Sequence, residues 1–244
     1  IPSRWPGVST LANIVSIGNC GREAGQLRYG GPFTPPSLGH GTLSYPATAG
    51  GIEWGGGAVD PVSQTYVVNS SSVVQIYQLL TREQYQAATK NGTPSGYFPM
   101  TGSPYGMHLT TFLNWLGMPC WNPPYGTLSS YDLKTGKLLW REPFGEVQKY
   151  GFYMPQSWGS VTIGGPVITR SGLIFIGGSM DKRVRAIDVK TGKVLWQALV
   201  DAPAVSIPAI FEYKGKEYVV FTAGGNSILS PTVSDQLVAF ALPG

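Results

Sequence analysis

The chain has 244 residues, among them 33 glycines and 20 prolines, and only 12% of it is charged while 12% is aromatic. That composition excludes a disordered chain, which is poor in aromatics and rich in net charge. It also excludes long helices and coiled coils, which need Ala, Glu, Lys, Leu and Arg in helical period. The formal charge of +4, from 17 basic and 13 acidic residues, is scattered with no Lys/Arg run, which argues against a nucleic-acid surface. Hydrophobic residues make up 42% of the chain, enough for a sizeable core, yet no apolar stretch reaches the roughly 18 residues that span a bilayer. Many glycines, aromatics and short apolar runs point to a compact all-β protein.

Residues 1–49 are rich in Gly, Pro and Ser and read as an irregular, loop-rich segment, with a strand pattern only from Leu11 to Ile17. The start at Ile1-Pro2-Ser3, without an initiator Met or a secretory signal, reads as a chain that has lost its beginning. Cys20 and Cys120 are the two cysteines. One disulfide in an oxidising compartment, a reactive thiol and two inert buried thiols are all open readings, and no C-x-x-C motif is present. A loose strand unit opens at Gly50-Gly51 and passes through Ala58-Val59-Asp60-Pro61 to Thr65-Tyr66-Val67-Val68-Asn69. Residues 80–126 read as an insertion with one short helix over Thr81–Ala88, capped by Thr81. Loops this long carry function or cover an interface.

The second half holds an internal repeat. Tyr131-Asp132-Leu133-Lys134-Thr135-Gly136-Lys137-Leu138-Leu139-Trp140 recurs 56 positions later as Ile187-Asp188-Val189-Lys190-Thr191-Gly192-Lys193-Val194-Leu195-Trp196. Each copy is a strand, a turn and a second strand ending in Trp. The Gly takes the positive φ of a tight turn, and the Asp accepts turn N–H bonds. Between the copies, Gly164–Thr169 and Leu173–Gly178 form two more strands around Ser171-Gly172. One unit thus has four short antiparallel strands, the content of a β-propeller blade of about 40–50 residues. A further unit runs from Ser206-Ile207-Pro208 through Lys214-Gly215 and Glu217–Ala223 to Gln236–Phe240. The chain therefore reads as about three to four blades, short of the four to eight of a typical closed ring. Trp140 and Trp196 read as structural, each docking one blade onto the next.

With these motifs in view, the sequence resembles the quinoproteins, dehydrogenases that use pyrroloquinoline quinone (PQQ), in the membrane-bound glucose/quinate dehydrogenase branch. The resemblance rests on Gly50-Gly51-Ile52-Glu53-Trp54-Gly55-Gly56 with Val59-Asp60-Pro61, on Pro104-Tyr105-Gly106, Gly117-Met118-Pro119-Cys120 and Pro123-Pro124-Tyr125-Gly126, and on the tail from Lys216 through Ala223-Gly224-Gly225 to Ala239-Phe240-Ala241-Leu242-Pro243. It covers nearly the whole chain in collinear order. It implies an all-β propeller of about eight blades, of which residues 1–244 form the C-terminal part, with 1–49 irregular and 80–126 inserted between blades. It also implies PQQ near the central axis, a divalent cation, usually calcium, beside it, and ubiquinone as electron acceptor. The implied reaction is oxidation of an alcohol, polyol or sugar by hydride transfer to the quinone, with the metal as Lewis acid and a carboxylate as base.

The resemblance carries over to particular residues. Asn69 matches the family Asn that hydrogen-bonds the PQQ carboxylate or quinone edge, whereas read without the resemblance it is a turn residue. Glu53 and Trp54 lie in the Gly-rich stretch that faces the cofactor; the alternatives are a solvated Glu and a blade-packing Trp. Asp181 matches an Asp at the mouth of the substrate pocket, its alternative being a hairpin-turn Asp. Asn226 stands where glucose-oxidising members carry a His, which removes a titratable ring and leaves quinate, polyols or other cyclic alcohols as substrates alongside glucose.

The family's catalytic base, its metal ligands and its PQQ-contacting Lys have no counterpart in this sequence. They are expected upstream, in N-terminal blades on the same parent polypeptide or on a second chain. So is the membrane anchor, with the propeller facing the periplasm. His40 and His108 lack ligand partners at metal spacing and read as polar loop residues. There is no Gly-x-Ser-x-Gly elbow, no His-Glu-x-x-His and no phosphate loop. Two readings result: the C-terminal part of a PQQ-dependent dehydrogenase, inactive alone, or a non-enzymatic propeller serving as scaffold or binding module. The joint presence of Glu53-Trp54, Asn69, Asp181 and the 80–126 insertion favours the first.

Overall fold

The computed structural model describes residues 4–149, 151–230 and 232–241. Of the motifs above, Ile1-Pro2-Ser3 and Leu242-Pro243 lie outside them. The chain forms two compact units, one of residues 1–50 and 73–123, the other of residues 51–72 and 124–244.

Among the described residues the second unit holds three blade sheets and a two-stranded antiparallel ribbon of Gln148–Lys149 with Phe152–Tyr153. The first blade orders its strands as Gly57–Asp60, Thr65–Ser71, Gly126–Asp132 and Leu138–Pro143. The second runs Val167–Ile168, Leu173–Ile176, Arg183–Asp188 and Val194–Leu199. The third holds Ala209–Tyr213, Lys216–Ala223 and Gln236–Ala241. The expected four-stranded blade is thus present, and the loose unit ending near Asn69 forms one blade with the first repeat copy, Thr65–Ser71 pairing with Gly126–Asp132. Local periodicity does not encode a pairing made across so long an insertion.

The two repeat hairpins have the same chemistry. Asp132 Oδ1 accepts from Lys134 N at 2.7 Å and Thr135 N at 3.2 Å, and Asp188 Oδ1 from Lys190 N at 3.1 Å and Thr191 N at 2.7 Å. Gly136 and Gly192 sit at φ 68° and 71°. Both strands also shift register at the same step before the Asp, between Ser130 and Tyr131 and between Ala186 and Ile187. Blades join through apolar faces. Val67, Leu128 and Phe144 share a buried cluster with Ile174, Ile176, Ile187 and Val189. Val184, Val200 and Ala204 share another with Val219, Phe221 and Ala223. Each repeat Trp does dock onto the next blade: Trp140 Nε1 donates to Val189 O at 2.9 Å, and Trp196 meets Phe240 edge-on with centroids 4.9 Å apart.

In the first unit, Thr42–Ser44, Gln75–Thr81, Tyr105–Thr111 and Tyr97–Phe98 form a four-stranded antiparallel sheet in that order. The irregular 1–49 segment and the 80–126 insertion therefore share a sheet. The helix expected at 81–88 spans Arg82–Thr89, with Thr81 and Gln84 forming a reciprocal capping box. The strand expected over Leu11–Ile17 is instead a helix, Thr10–Val15, because Ser9 Oγ accepts the Ala12 N–H at its start. His108, expected in a loop, lies in the strand Tyr105–Thr111 and stacks on Tyr97 with centroids 4.2 Å apart; cross-strand pairing with Gln75–Thr81 decides its place, and burial lowers its pKa. His40 is exposed. Cys20 and Cys120, 100 positions apart in sequence, form a disulfide with Cα atoms 5.4 Å apart, a loop closure worth about 4–5 kcal/mol in chain-entropy terms. Among the described residues no helix is long and apolar enough to cross a membrane.

The repeat offers an internal control. A Cβ on Gly136 would meet nothing within 4 Å, whereas one on Gly192 would lie 2.8 Å from the Trp140 ring. Gly136→Ala is expected to cost about 1–2 kcal/mol, the penalty of a left-handed L-residue. Gly192→Ala should cost about 1–3 kcal/mol more, because the docked indole must shift. Urea unfolding of both variants checks this, and equal losses would contradict it.

Candidate functional site

Asn69 lies within the strand Thr65–Ser71, opposite Leu128, rather than in a turn, and is 2% exposed. Its Nδ2 donates to Thr162 Oγ1 at 2.9 Å and to Gly164 O at 3.0 Å. A carbonyl can only accept, so Gly164 fixes which end of the amide points at it. Both amide hydrogens are then in use, and the buried Oδ1 has no partner among the described residues. Next along the strand, Ser71 Oγ donates to Thr162 O at 3.0 Å and accepts from Thr162 N at 2.9 Å. These bonds clamp the first blade to the segment that enters the second.

The stretch carrying Glu53 and Trp54 is held at both ends. Gly51 N donates to Ser71 O at 2.7 Å and Ser71 N to Gly51 O at 2.8 Å, and Gly56 N closes a turn on Glu53 O at 2.9 Å. Between them, Gly55 packs its backbone against Gly164 and Gly165 so tightly that a Cβ on Gly55 would fall inside contact distance of the Gly165 nitrogen. Gly55, which follows Glu53-Trp54, and the Asn69 amide therefore both approach Gly164-Gly165. Trp54 is 69% exposed, with an aromatic face available, and does not pack between blades. Glu53 is half-buried, and the loss of water raises its carboxyl pKa above the usual value.

Asp181 sits in the turn before Arg183–Asp188, its side chain 1% exposed. Its Oδ1 accepts from Ser179 Oγ at 2.7 Å, from Arg183 N at 3.1 Å and from Arg185 Nη1 at 3.3 Å. Its Oδ2 accepts from Glu146 N at 3.1 Å and pairs with Arg185 Nη2. Arg185 also lies over the Phe144 ring, 5.2 Å from its centroid, and Arg183 pairs with Glu146. Sequence reasoning missed Arg185 and Glu146; the only signal was the Arg183-x-Arg185 alternation two residues after Asp181. A bridge between Thr162 and Ser179 links this network to the Asn69 clamp. Asn226 stands apart from these bonds: its Oδ1 accepts from Ile228 N and Leu229 N, both at 3.0 Å, within its own loop. That loop is tied back by Gly225 N donating to Pro203 O at 2.9 Å.

Chemically, the cluster offers a buried acceptor, an exposed indole face and a carboxyl of raised pKa. Among the described residues no group of three or more His, Cys, Asp or Glu could hold a metal ion.

Residues 10–219 match the family described as PQQ: glucose/ethanol/alcohol dehydrogenase, beta-propeller domain. The chain belongs to this PQQ propeller family. Its curated relatives include the quinoprotein glucose dehydrogenase of Escherichia coli K12, 38% identical over 229 residues, which cover 89% of this chain and 29% of that protein. They also include the glycerol dehydrogenase large subunit of Gluconobacter thailandicus, 36% identical over 89% of this chain and 32% of that protein. A probable quinate dehydrogenase (quinone) of Xanthomonas campestris pv. juglandis is 37% identical over 89% of this chain and 29% of that protein. The chain thus spans less than a third of the length of these relatives. Among solved structures, the quinohemoprotein alcohol dehydrogenase of Comamonas testosteroni matches with TM-score 0.57 at 17% identity, covering 83% of this chain and 28% of that one. A europium-containing methanol dehydrogenase matches with TM-score 0.54 at 24% identity, covering 78% and 28%. Both show that the fold is that of PQQ propeller enzymes.

Within this PQQ propeller, Asp181→Ala would leave the buried Arg185 guanidinium unpaired, at an expected cost of about 3–5 kcal/mol. Urea unfolding measures it, and a loss below about 1 kcal/mol, the worth of an exposed ion pair, would show that the pair is not buried in solution.

Proposed function

We propose that this chain supplies the C-terminal blades and one side of the active site of a PQQ-dependent dehydrogenase that oxidises an alcohol, polyol or sugar. One observation carries the reading: the buried, unpartnered Oδ1 of Asn69 beside the Glu53-Trp54 turn. An orphaned buried acceptor costs about 1–3 kcal/mol, a cost without return in a scaffold propeller but offset when a ligand donor meets it. PQQ fits, being a flat polycyclic acid with one ring N–H. Asn69 would accept from that N–H or from a bridging water, while Thr162 and Gly164 hold its amide in place. Trp54 would lay its indole face on the flat ring system, and Glu53 would accept a bond from cofactor or substrate. Asn226 would lie on the substrate side, and Asp181, its carboxylate taken up by Arg185, Ser179 and backbone N–H groups, would shape the pocket mouth only by holding that turn in place.

Bound PQQ would supply the hydride acceptor for the substrate carbon, a divalent cation, calcium, would supply Lewis-acid polarisation, and ubiquinone would be the final electron acceptor. The general base and the cation ligands belong to N-terminal blades on the same parent polypeptide or on a second chain, and this chain alone is inactive. The assembly would lie on the periplasmic side, anchored through the upstream part, in keeping with the membrane-bound branch that the sequence resembles. The relatives act on glucose, glycerol and quinate by name, and Asn226 in place of a His moves the preference away from glucose towards polyols or cyclic alcohols.

The full assembly, given PQQ and calcium, is expected to show the absorption of bound quinone; none would overturn the reading. Asn69→Ala should weaken PQQ binding by about 1–3 kcal/mol in a titration of the same assembly, and unchanged affinity would refute the role of Asn69. Asn226→His is expected to shift the ratio of kcat/KM for glucose over a polyol by about tenfold while PQQ affinity stays constant. A profile unmoved by that change would remove Asn226 from the substrate pocket.

A further inference from the structure

The helix Thr10–Val15 is inverted. Its small residue Ala12 is buried, as are Ser16 and Cys20 just beyond it, while Leu11, Ile14 and Val15, one turn apart and on one face, point outwards with Ile14 69% exposed. A surface helix ordinarily does the reverse. Ile17 follows at φ 54°, a left-handed conformation that costs an L-residue about 1–2 kcal/mol and marks a β-branched residue as an outlier. With 81% of its surface exposed, Ile17 gains nothing from this chain in return. Beside it stands Trp115, 66% exposed, its Nε1 donating to Ser16 O at 3.4 Å.

The knob is rigid. Asn114 Nδ2 donates to Ala12 O at 3.1 Å, and its Oδ1 accepts from Leu116 N and Met118 N, each at 3.0 Å. The Cys20–Cys120 disulfide ties the following helix to the same segment. A surface held in this way loses little entropy when it is covered.

We propose that Leu11, Ile14, Ile17 and Trp115 form the docking surface for the protein that precedes this chain in its parent polypeptide. The proposal rests on the reading that N-terminal blades complete this chain. Relatives are aligned here over only 28–32% of their length, so more than two-thirds of such a polypeptide lies outside the chain and packs on some face of it. The chemistry of the knob selects protein over lipid. Helices that lie on bilayers carry Lys and Arg on their polar side, whereas Thr10–Val15 has no charged residue. An uncharged apolar centre with an exposed Trp is instead the composition of a protein–protein interface core.

The test uses the complete parent protein without PQQ, with a benzophenone amino acid in place of Ile14 or Ile17, irradiated and mapped by mass spectrometry. Cross-links into peptides upstream of residue 1 are expected from both positions. Cross-links to lipid, to a second copy, or to no peptide would overturn the proposal. As an independent reading, Ile17→Asp in the complete protein should speed amide exchange across residues 9–20 at least tenfold, the loss of one buried isoleucine; unchanged exchange would count against docking. PQQ binding is scored separately, so its failure bears only on the proposed activity and a missing cross-link only on the docking surface.

Discussion

The propeller unit depends on the backbone-to-backbone approach of Gly55 to Gly164 and Gly165. No side chain fits between these segments, and the closeness sets three things at once. It seats the turn bearing Glu53 and Trp54, it brings the Gly164 carbonyl within 3.0 Å of the Asn69 amide, and it joins the first blade to the second at the end where the chain passes between them. The Asn69 amide then acts as a gauge of that junction. With both hydrogens spent on Thr162 and Gly164, the single group it has left is an acceptor, and its direction is set by backbone rather than by a flexible side chain. On the function proposed above, an acceptor placed in this way would be pre-organised before any ligand arrives.

How much of this was legible in the sequence follows from how local each determinant is. The Asp-x-Lys-Thr-Gly-Lys hairpins, their positive-φ glycines, the docking role of Trp140 and Trp196 and the Thr81 cap are all decided within a few residues, and each is read directly. The pairing of Thr65–Ser71 with Gly126–Asp132 is decided across an insertion, and no period marks it. Leu11–Ile17 shows the opposite failure: its apolar pattern suits a strand, but the Ser9 hydroxyl caps a helix there.

The site divides along the same line. Motif resemblance marks Glu53, Trp54 and Asn69, while the approach of Gly55 and Asn69 to Gly164-Gly165 is a tertiary fact that no spacing reveals. Motif resemblance marks Asp181 as well but not its partner Arg185, because in sequence an arginine facing into a blade is indistinguishable from an exposed one. The burial of that pair ties the second blade's turn to Ser179 and so to Thr162, linking residues from two blades into one hydrogen-bonded chain.

The insertion also shapes how the first blade is assembled. Its two ends meet, with Ser72 N donating to Tyr125 O at 2.9 Å, and just inside that point Phe112 N donates to Val74 O at 3.0 Å. The inserted segment pairs with itself, Gln75–Thr81 against Tyr105–Thr111, through contacts shorter in sequence than those of the blade it interrupts. Once this inner pairing forms, Thr65–Ser71 and Gly126–Asp132 no longer search across the whole insertion; they are delivered side by side, as though joined by a tight loop. The topological distance between the two middle strands of the blade is therefore much shorter than their separation along the chain, and contact order counted on the bare sequence overstates how slowly this blade should close.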